Sequence, residues 1–216
     1  MDEARWAEVT RERMSLSDLL EGLTPAQWQA PSLCSGWRVK DVAAHVAMTP
    51  IPAPSLWGLG VAVARARGRL WEASAAIAID HARRPNEAII AELRRYAAAR
   101  TLPSFANPKN QLLDVLVHGQ DIAVPFGIER PMPTDAAVAA FDRVWSMGWP
   151  FLARRRLRGV RLRATDGPVD AGAGPKVEGR LADLLLLAAD RATAALPRLQ
   201  GEGVAVLADR IGPQLE

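Results

Sequence analysis

The chain has 216 residues, 49% hydrophobic and 24% charged. That is the balance of a globular protein large enough to bury a core without disulfide or metal staples, and it excludes disorder and collagen-like structure. A formal net charge of +3, from 27 basic and 24 acidic residues, does not make it a strongly basic protein. The one cysteine, Cys34, can form neither an internal disulfide nor a cysteine-cluster zinc site. With no basic-then-apolar leader, a cytoplasmic location is expected. The 39 alanines, and 24 arginines against 3 lysines, are what a GC-rich genome produces through its codons.

Helical periodicity dominates the first 150 residues. A first amphipathic helix is predicted over 3–21, with Trp6, Val9, Met14, Leu16, Leu19 and Leu20 as its apolar stripe. Thr24-Pro25-Ala26-Gln27 combines a capping residue, proline at the first helical position and Gln three residues on, the signature of a short second helix. After a loop over 30–36, a helix is predicted from Arg38 to Met48, ending before Pro50, Pro52 and Pro54. Further helices are expected over 55–67, 69–83, 86–99, 110–124 and 134–155, the last carrying Trp145 and Trp149 on a core stripe.

The last sixty residues change character. Strands are predicted over 159–165 and 176–180, separated by a Gly/Pro/Asp-rich turn region from Asp166 to Pro175 and followed by a helix over 181–191. The expected organisation is mainly α, a helical bundle over 1–156 with a small α+β subdomain over 157–216. Leu184 to Ala189 is strongly apolar but bracketed by Asp183 and Asp190, which makes it a buried helix and not a membrane span. Six arginines crowd positions 154–163, but no helix-turn-helix signature accompanies them, and Arg161 and Arg163 fall on one solvated strand face. Neither nucleic acid nor a membrane is expected as a partner.

Ionisable residues in apolar helices carry the chemistry. Asp114, His118 and Asp121 share one face of the helix over 110–124, and Asp41 and His45 sit four apart in the helix over 38–48. A carboxylate in such a run needs a cation, a hydrogen-bond network or a metal, because unpartnered burial costs on the order of several kcal/mol. If the two helices pack side by side, His45, Asp114 and His118 converge as two imidazoles and a carboxylate, the ligand set of an open metal site. Asp41 and Asp121 would then orient the imidazoles. The competing reading is of hydrogen-bonded core histidines, with Asp41 as a helix cap. Cys34, with no histidine near it in sequence, reads as an inert thiol, and His81, at a helix end, as a surface residue.

The segment Trp28-Gln29-Ala30-Pro31-Ser32-Leu33-Cys34-Ser35-Gly36-Trp37-Arg38-Val39-Lys40-Asp41-Val42-Ala43-Ala44-His45 resembles the opening motif of the mycothiol-dependent maleylpyruvate isomerase family, a branch of the DinB-like metalloenzymes. Val117-His118-Gly119-Gln120-Asp121-Ile122-Ala123 is similar to that family's second motif. Gly159 to Asp166 and Gly201 to Leu207 resemble its small C-terminal subdomain. The resemblance implies a DinB-like four-helix bundle holding one divalent metal, zinc by preference, on His45, Asp114 and His118. The family more often carries Glu where Asp114 stands, so the carboxylate here is one methylene shorter.

It further implies an actinobacterial enzyme, a monomer or homodimer, that uses mycothiol for isomerisation or S-transfer on a small electrophile. A metal-bound thiol loses its proton, and the thiolate is the nucleophile. No catalytic residue beyond the ligands is assigned, and arginines are expected to hold substrate or thiol carboxylates. The alternative is a non-catalytic bundle that binds a metal or small ligand as a sensor or partner protein.

Overall fold

The computed structural model describes residues 2–51, 70–100 and 107–211. The helix expected over 55–67 lies outside the described residues. By compactness the chain divides into two units, Met1–Phe126 and Gly127–Glu216.

In the first unit α1 (Glu3–Glu21) begins at Asp2, whose side chain accepts from the Arg5 amide at 2.9 Å. Helix α2 (Pro25–Gln29) carries the predicted capping box: the Gln27 amide donates to Thr24 Oγ1 at 3.3 Å, and the Thr24 amide donates to Gln27 Oε1 at 2.9 Å. Helices α3 (Val39–Met48), α4 (Leu70–His81), α5 (Asn86–Arg95) and α6 (Lys109–Ala123) follow. The central helix is α3, which packs on α4, α5 and α6, while α1 packs on α5 and α6. Small side chains allow this: Val42, Ala43, Ala44, Val46 and Ala47 are buried around most of the α3 circumference.

The buried face of α1 departs from the expected stripe. Val9, Leu16 and Leu20 are fully buried, but Met14 is exposed, and Glu12, Arg13 and Ser17 are buried beside the apolar residues. Arg13 tolerates burial because its guanidinium reaches the carbonyls of Ala97 at 3.2 Å and Ala99 at 3.0 Å and the side chain of Gln111.

The second unit opens with α7 (Thr134–Ser146) and continues through α8 (Ala153–Arg156), β1 (Arg161–Ala164), β2 (Asp170–Gly172), β3 (Lys176–Gly179), α9 (Leu181–Ala188), α10 (Ala192–Ala195) and α11 (Glu202–Ile211). The single helix expected over 134–155 is two, because Pro150, with no amide hydrogen, falls inside it. Trp145 still stacks on Phe141, with centroids 5.7 Å apart, but Trp149 lies past the helix end and is 65% exposed. It therefore belongs to no core stripe. Helix α7 packs on α9, so it falls within the second compact unit, whereas the sequence pattern places the boundary at 156.

The sheet has the order β2-β1-β3, with β1 antiparallel to β2 and parallel to β3. Strand β2 lies inside the region expected to be only a turn: Leu162 pairs with Ala171 across the antiparallel ladder and with Val177 across the parallel one. Strand β1 alternates as predicted, Arg161 and Arg163 outward and Leu162 and Ala164 inward. The outward arginines pair with Asp170 and Glu178, and Arg156 pairs with Asp190. Helix α9 packs between α7 and strands β1 and β3, which is why Leu184, Leu185, Leu186 and Leu187, spread around its circumference, are all fully buried. Among the described residues no helix is long and apolar enough to cross a membrane.

Candidate metal centre

All the residues of the site lie in the first unit. Helices α3 and α6 pack together, and the four-residue spacings place His45 on one and Asp114 and His118 on the other, facing across the contact. His45 Nε2 stands 3.3 Å from Asp114 Oδ1, and His118 Nε2 stands 3.5 Å from the same oxygen. The two imidazoles meet edge to face, their centroids 5.0 Å apart. One donor atom from each of the three residues falls within 4.8 Å of the others. A tetrahedral ion with bonds of about 2.0–2.1 Å to N and O ligands separates them by roughly 3.3 Å. The donor set and its spacing fit a divalent cation.

The far side of His118 is closed by a second carboxylate. Its Nδ1 lies 2.8 Å from Asp121 Oδ2, so the Nδ1 hydrogen donates to Asp121 and Nε2 is left to face Asp114. Side-chain exposure falls from 22% and 23% at His45 and Asp114 to 11% at His118 and 0% at Asp121. The site is thus open to solvent at the His45 and Asp114 edge and sealed behind His118.

The electrostatics follow from this packing. Burial alone would push the Asp114 carboxyl up, but the neighbouring imidazoles of His45 and His118 outweigh it and hold the group well below the usual carboxylate range. Burial alone would push His118 down; the Asp114 charge, with hydrogen bonds to Asp114, Asp121 and Cys34, outweighs it and raises the imidazole above its ordinary value.

Asp41 takes a different place. Its Oδ2 accepts from the Arg38 amide at 2.9 Å and from Arg38 Nε at 3.0 Å, and its Oδ1 accepts from Arg38 Nη2 at 2.8 Å. This carboxylate caps α3 and pairs with Arg38, which is the helix-cap reading of the residue. His81 is joined to Glu92 Oε1 at 2.5 Å, and Arg84 binds the other oxygen of Glu92, forming a part-buried cluster at the end of α4.

Cys34, which its sequence neighbourhood presents as an inert thiol, and Trp37, to which the sequence assigns no role, both reach the site. Cys34 Sγ lies 3.1 Å from Asp121 Oδ2 and 3.7 Å from His118 Nδ1, although 84 residues separate it from that histidine. Trp37 lies nearly parallel to the His118 ring, centroids 6.4 Å apart, and meets the His45 ring edge-on at 5.5 Å. The available signal was their position: both lie in the loop that leads directly into the His45 helix.

Residues 9–107 match the family model described as the mycothiol maleylpyruvate isomerase N-terminal domain. No curated protein matches the chain. Among solved structures, the crystal structure of the mycothiol-dependent maleylpyruvate isomerase aligns with a TM-score of 0.58 at 18% identity, covering 93% of this chain and 92% of that one. A histidine-to-alanine mutant of that isomerase aligns with a TM-score of 0.52 at the same identity and coverage. At this identity the alignment establishes the fold. Residues 9–107 are thus similar to the mycothiol maleylpyruvate isomerase N-terminal domain, and the chain shares the isomerase's fold.

Proposed function

We propose that this protein is a divalent-metal-dependent enzyme that uses mycothiol for isomerisation or S-transfer on a small electrophilic substrate. The observation that carries the reading is the convergence of His45, Asp114 and His118 from two helices within 4.8 Å. Two imidazoles and one carboxylate suit zinc and leave positions open for an exogenous ligand. A divalent cation held there would favour thiolate over thiol in a bound cofactor.

The chain's own contribution is binding and orientation. His45 and Asp114 present their donors at the solvent-facing edge, where a thiol can enter. Asp121 fixes the tautomer of His118 through Nδ1, keeping the Nε2 lone pair on the Asp114 side. The burial of Asp121 behind His118 keeps water from the second carboxylate. The Asp114 carboxyl remains ionised, supplying the negative charge that a dication needs.

Metal analysis of the purified protein, with and without the paired changes His45→Ala and His118→Ala, tests the site. Roughly one equivalent in the wild type and loss in the variant are expected; equal content in both would overturn the assignment. Incubation of the metal-loaded protein with mycothiol and a panel of electrophiles tests the reaction, with thiol consumption expected. A ligand-dependent rise in melting temperature without turnover would instead establish the non-catalytic binding bundle.

A further inference from the structure

The loop between α2 and α3 is built to hold its shape. Pro31 and Arg38 form an antiparallel bridge across it, the Val39 amide donates to the Ala30 carbonyl at 2.9 Å, and the Ser32 amide and hydroxyl both donate to the Trp37 carbonyl at 2.9 Å. Gly36 turns the chain at a φ of +76°, a conformation that costs glycine little. The loop is also tied to α6, because the Leu33 amide donates to the Asp121 carbonyl at 3.1 Å.

This frame delivers two side chains to the histidines. Cys34 Sγ donates to Asp121 Oδ2, the same oxygen that accepts from His118 Nδ1 at 2.8 Å. Trp37 presents its ring to both imidazoles, nearly parallel to His118 at 16° and edge-on to His45 at 62°. A histidine ring swings about two side-chain torsions, the second of them broad. Which nitrogen faces Asp114 therefore depends on what touches the ring.

We propose that Cys34 and Trp37 are positioning residues of the metal site, Cys34 acting through Asp121 and Trp37 by ring contact, which together hold His118 with Nε2 toward Asp114. The inference rests on the metal-site reading above. In this arrangement Cys34 is neither ligand nor nucleophile; its thiol donates to the same Asp121 oxygen that accepts from Nδ1, which holds that carboxylate in place against the ring. The short path from loop to ring explains why both residues precede the His45 helix by only a few positions.

Cobalt(II) titration of metal-free wild type, Cys34→Ala, Cys34→Ser, Trp37→Leu and Trp37→Phe, with the visible spectrum and the melting temperature of each metal-free protein, tests it. Cys34→Ala and Trp37→Leu are expected to weaken cobalt binding about tenfold, the lower edge of what outer partners of metal-bound histidines contribute. Cys34→Ser, which keeps a donor, and Trp37→Phe, which keeps a ring, should bind within about threefold of wild type, even where trimming these core-packed side chains lowers the metal-free melting temperature slightly. Wild-type affinity in both Cys34→Ala and Trp37→Leu would overturn the proposal. So would a thiolate-to-cobalt charge-transfer band that Cys34→Ser abolishes, since it would make Cys34 a ligand. A fall in metal-free melting temperature paralleling the affinity loss would assign the two residues a general structural role and overturn it too. Wild type that binds no cobalt would overturn the metal reading and this inference together; normal wild-type binding with unaffected variants sinks only the inference.

Discussion

His118 Nδ1 lies 2.8 Å from Oδ2 of Asp121, one helical turn further along the same helix, and that carboxylate is fully buried. Replacing Asp121 with Asn keeps the shape and an acceptor oxygen but removes the charge that makes the imidazole a stronger ligand. Metal affinity should fall about ten- to a hundredfold. Isothermal titration with zinc in a competing chelator measures this, and an unchanged affinity would show that Asp121 does not tune His118.

Metal binding should keep strengthening with pH beyond the ordinary imidazole range. The proton on His118 must leave before Nε2 can bind a cation, and that proton is held more tightly than in a free imidazole. A slope of about one in the logarithm of the affinity against pH should therefore persist above pH ~6.5. A plateau beginning below that value would contradict the raised His118.

The metal-free protein should show the opposite trend. A raised His118 contributes stability that is fully present below its unfolded value of ~6.5 and is lost as pH rises through the higher folded value. A depressed Asp114 contributes stability that is present above its unfolded value of ~3.9 and lost as pH falls toward the lower folded one. The pair therefore stabilises most between about pH 4 and 6.5. Urea midpoints of chelator-treated wild type and His118→Gln should differ most in that window, and the difference should shrink as pH rises above it.

Arg13 joins α1 to the end of α5 and the first turn of α6 through the carbonyls of Ala97 and Ala99 and the side chain of Gln111. Arg13→Met fills similar volume but leaves these buried acceptors without their donor. A loss of about 2–4 kcal/mol is expected from denaturant unfolding, most of it from the unsatisfied acceptors. A loss below about 0.5 kcal/mol would mean that water or a rearrangement satisfies them.

In the second unit Gly174 adopts a φ of +129°, and a Cβ there would fall on the Gly159 carbonyl. Gly174→Ala should cost at least about 2 kcal/mol. Gly148, whose added Cβ would meet nothing within 4 Å, serves as the control. Gly148→Ala should stay within about 0.5 kcal/mol by thermal unfolding.

Local rules made much of this protein legible from its residues. The Thr24 and Gln27 capping box, the α6 span and the alternation of β1 each depend on neighbours within a few positions, where backbone geometry is set by propensity and period. The pairing of Asp114 with His118 and of His118 with Asp121 belongs to the same class, since helical spacing alone puts them on one face.

The features that escaped the sequence are non-local. The exposure of Met14 and burial of Arg13 depend on where backbone carbonyls of another segment end, and β2 is a strand only because β1 offers it an edge. At the site, sequence alone determined which ligand types were available and which helix faces carried them. Only the packing of α3 on α6, and the loop that lays Cys34 and Trp37 against His118, decided that they meet. The physical reason is that helical period reaches about one turn, whereas bringing residues 84 positions apart into contact is the work of the buried apolar core.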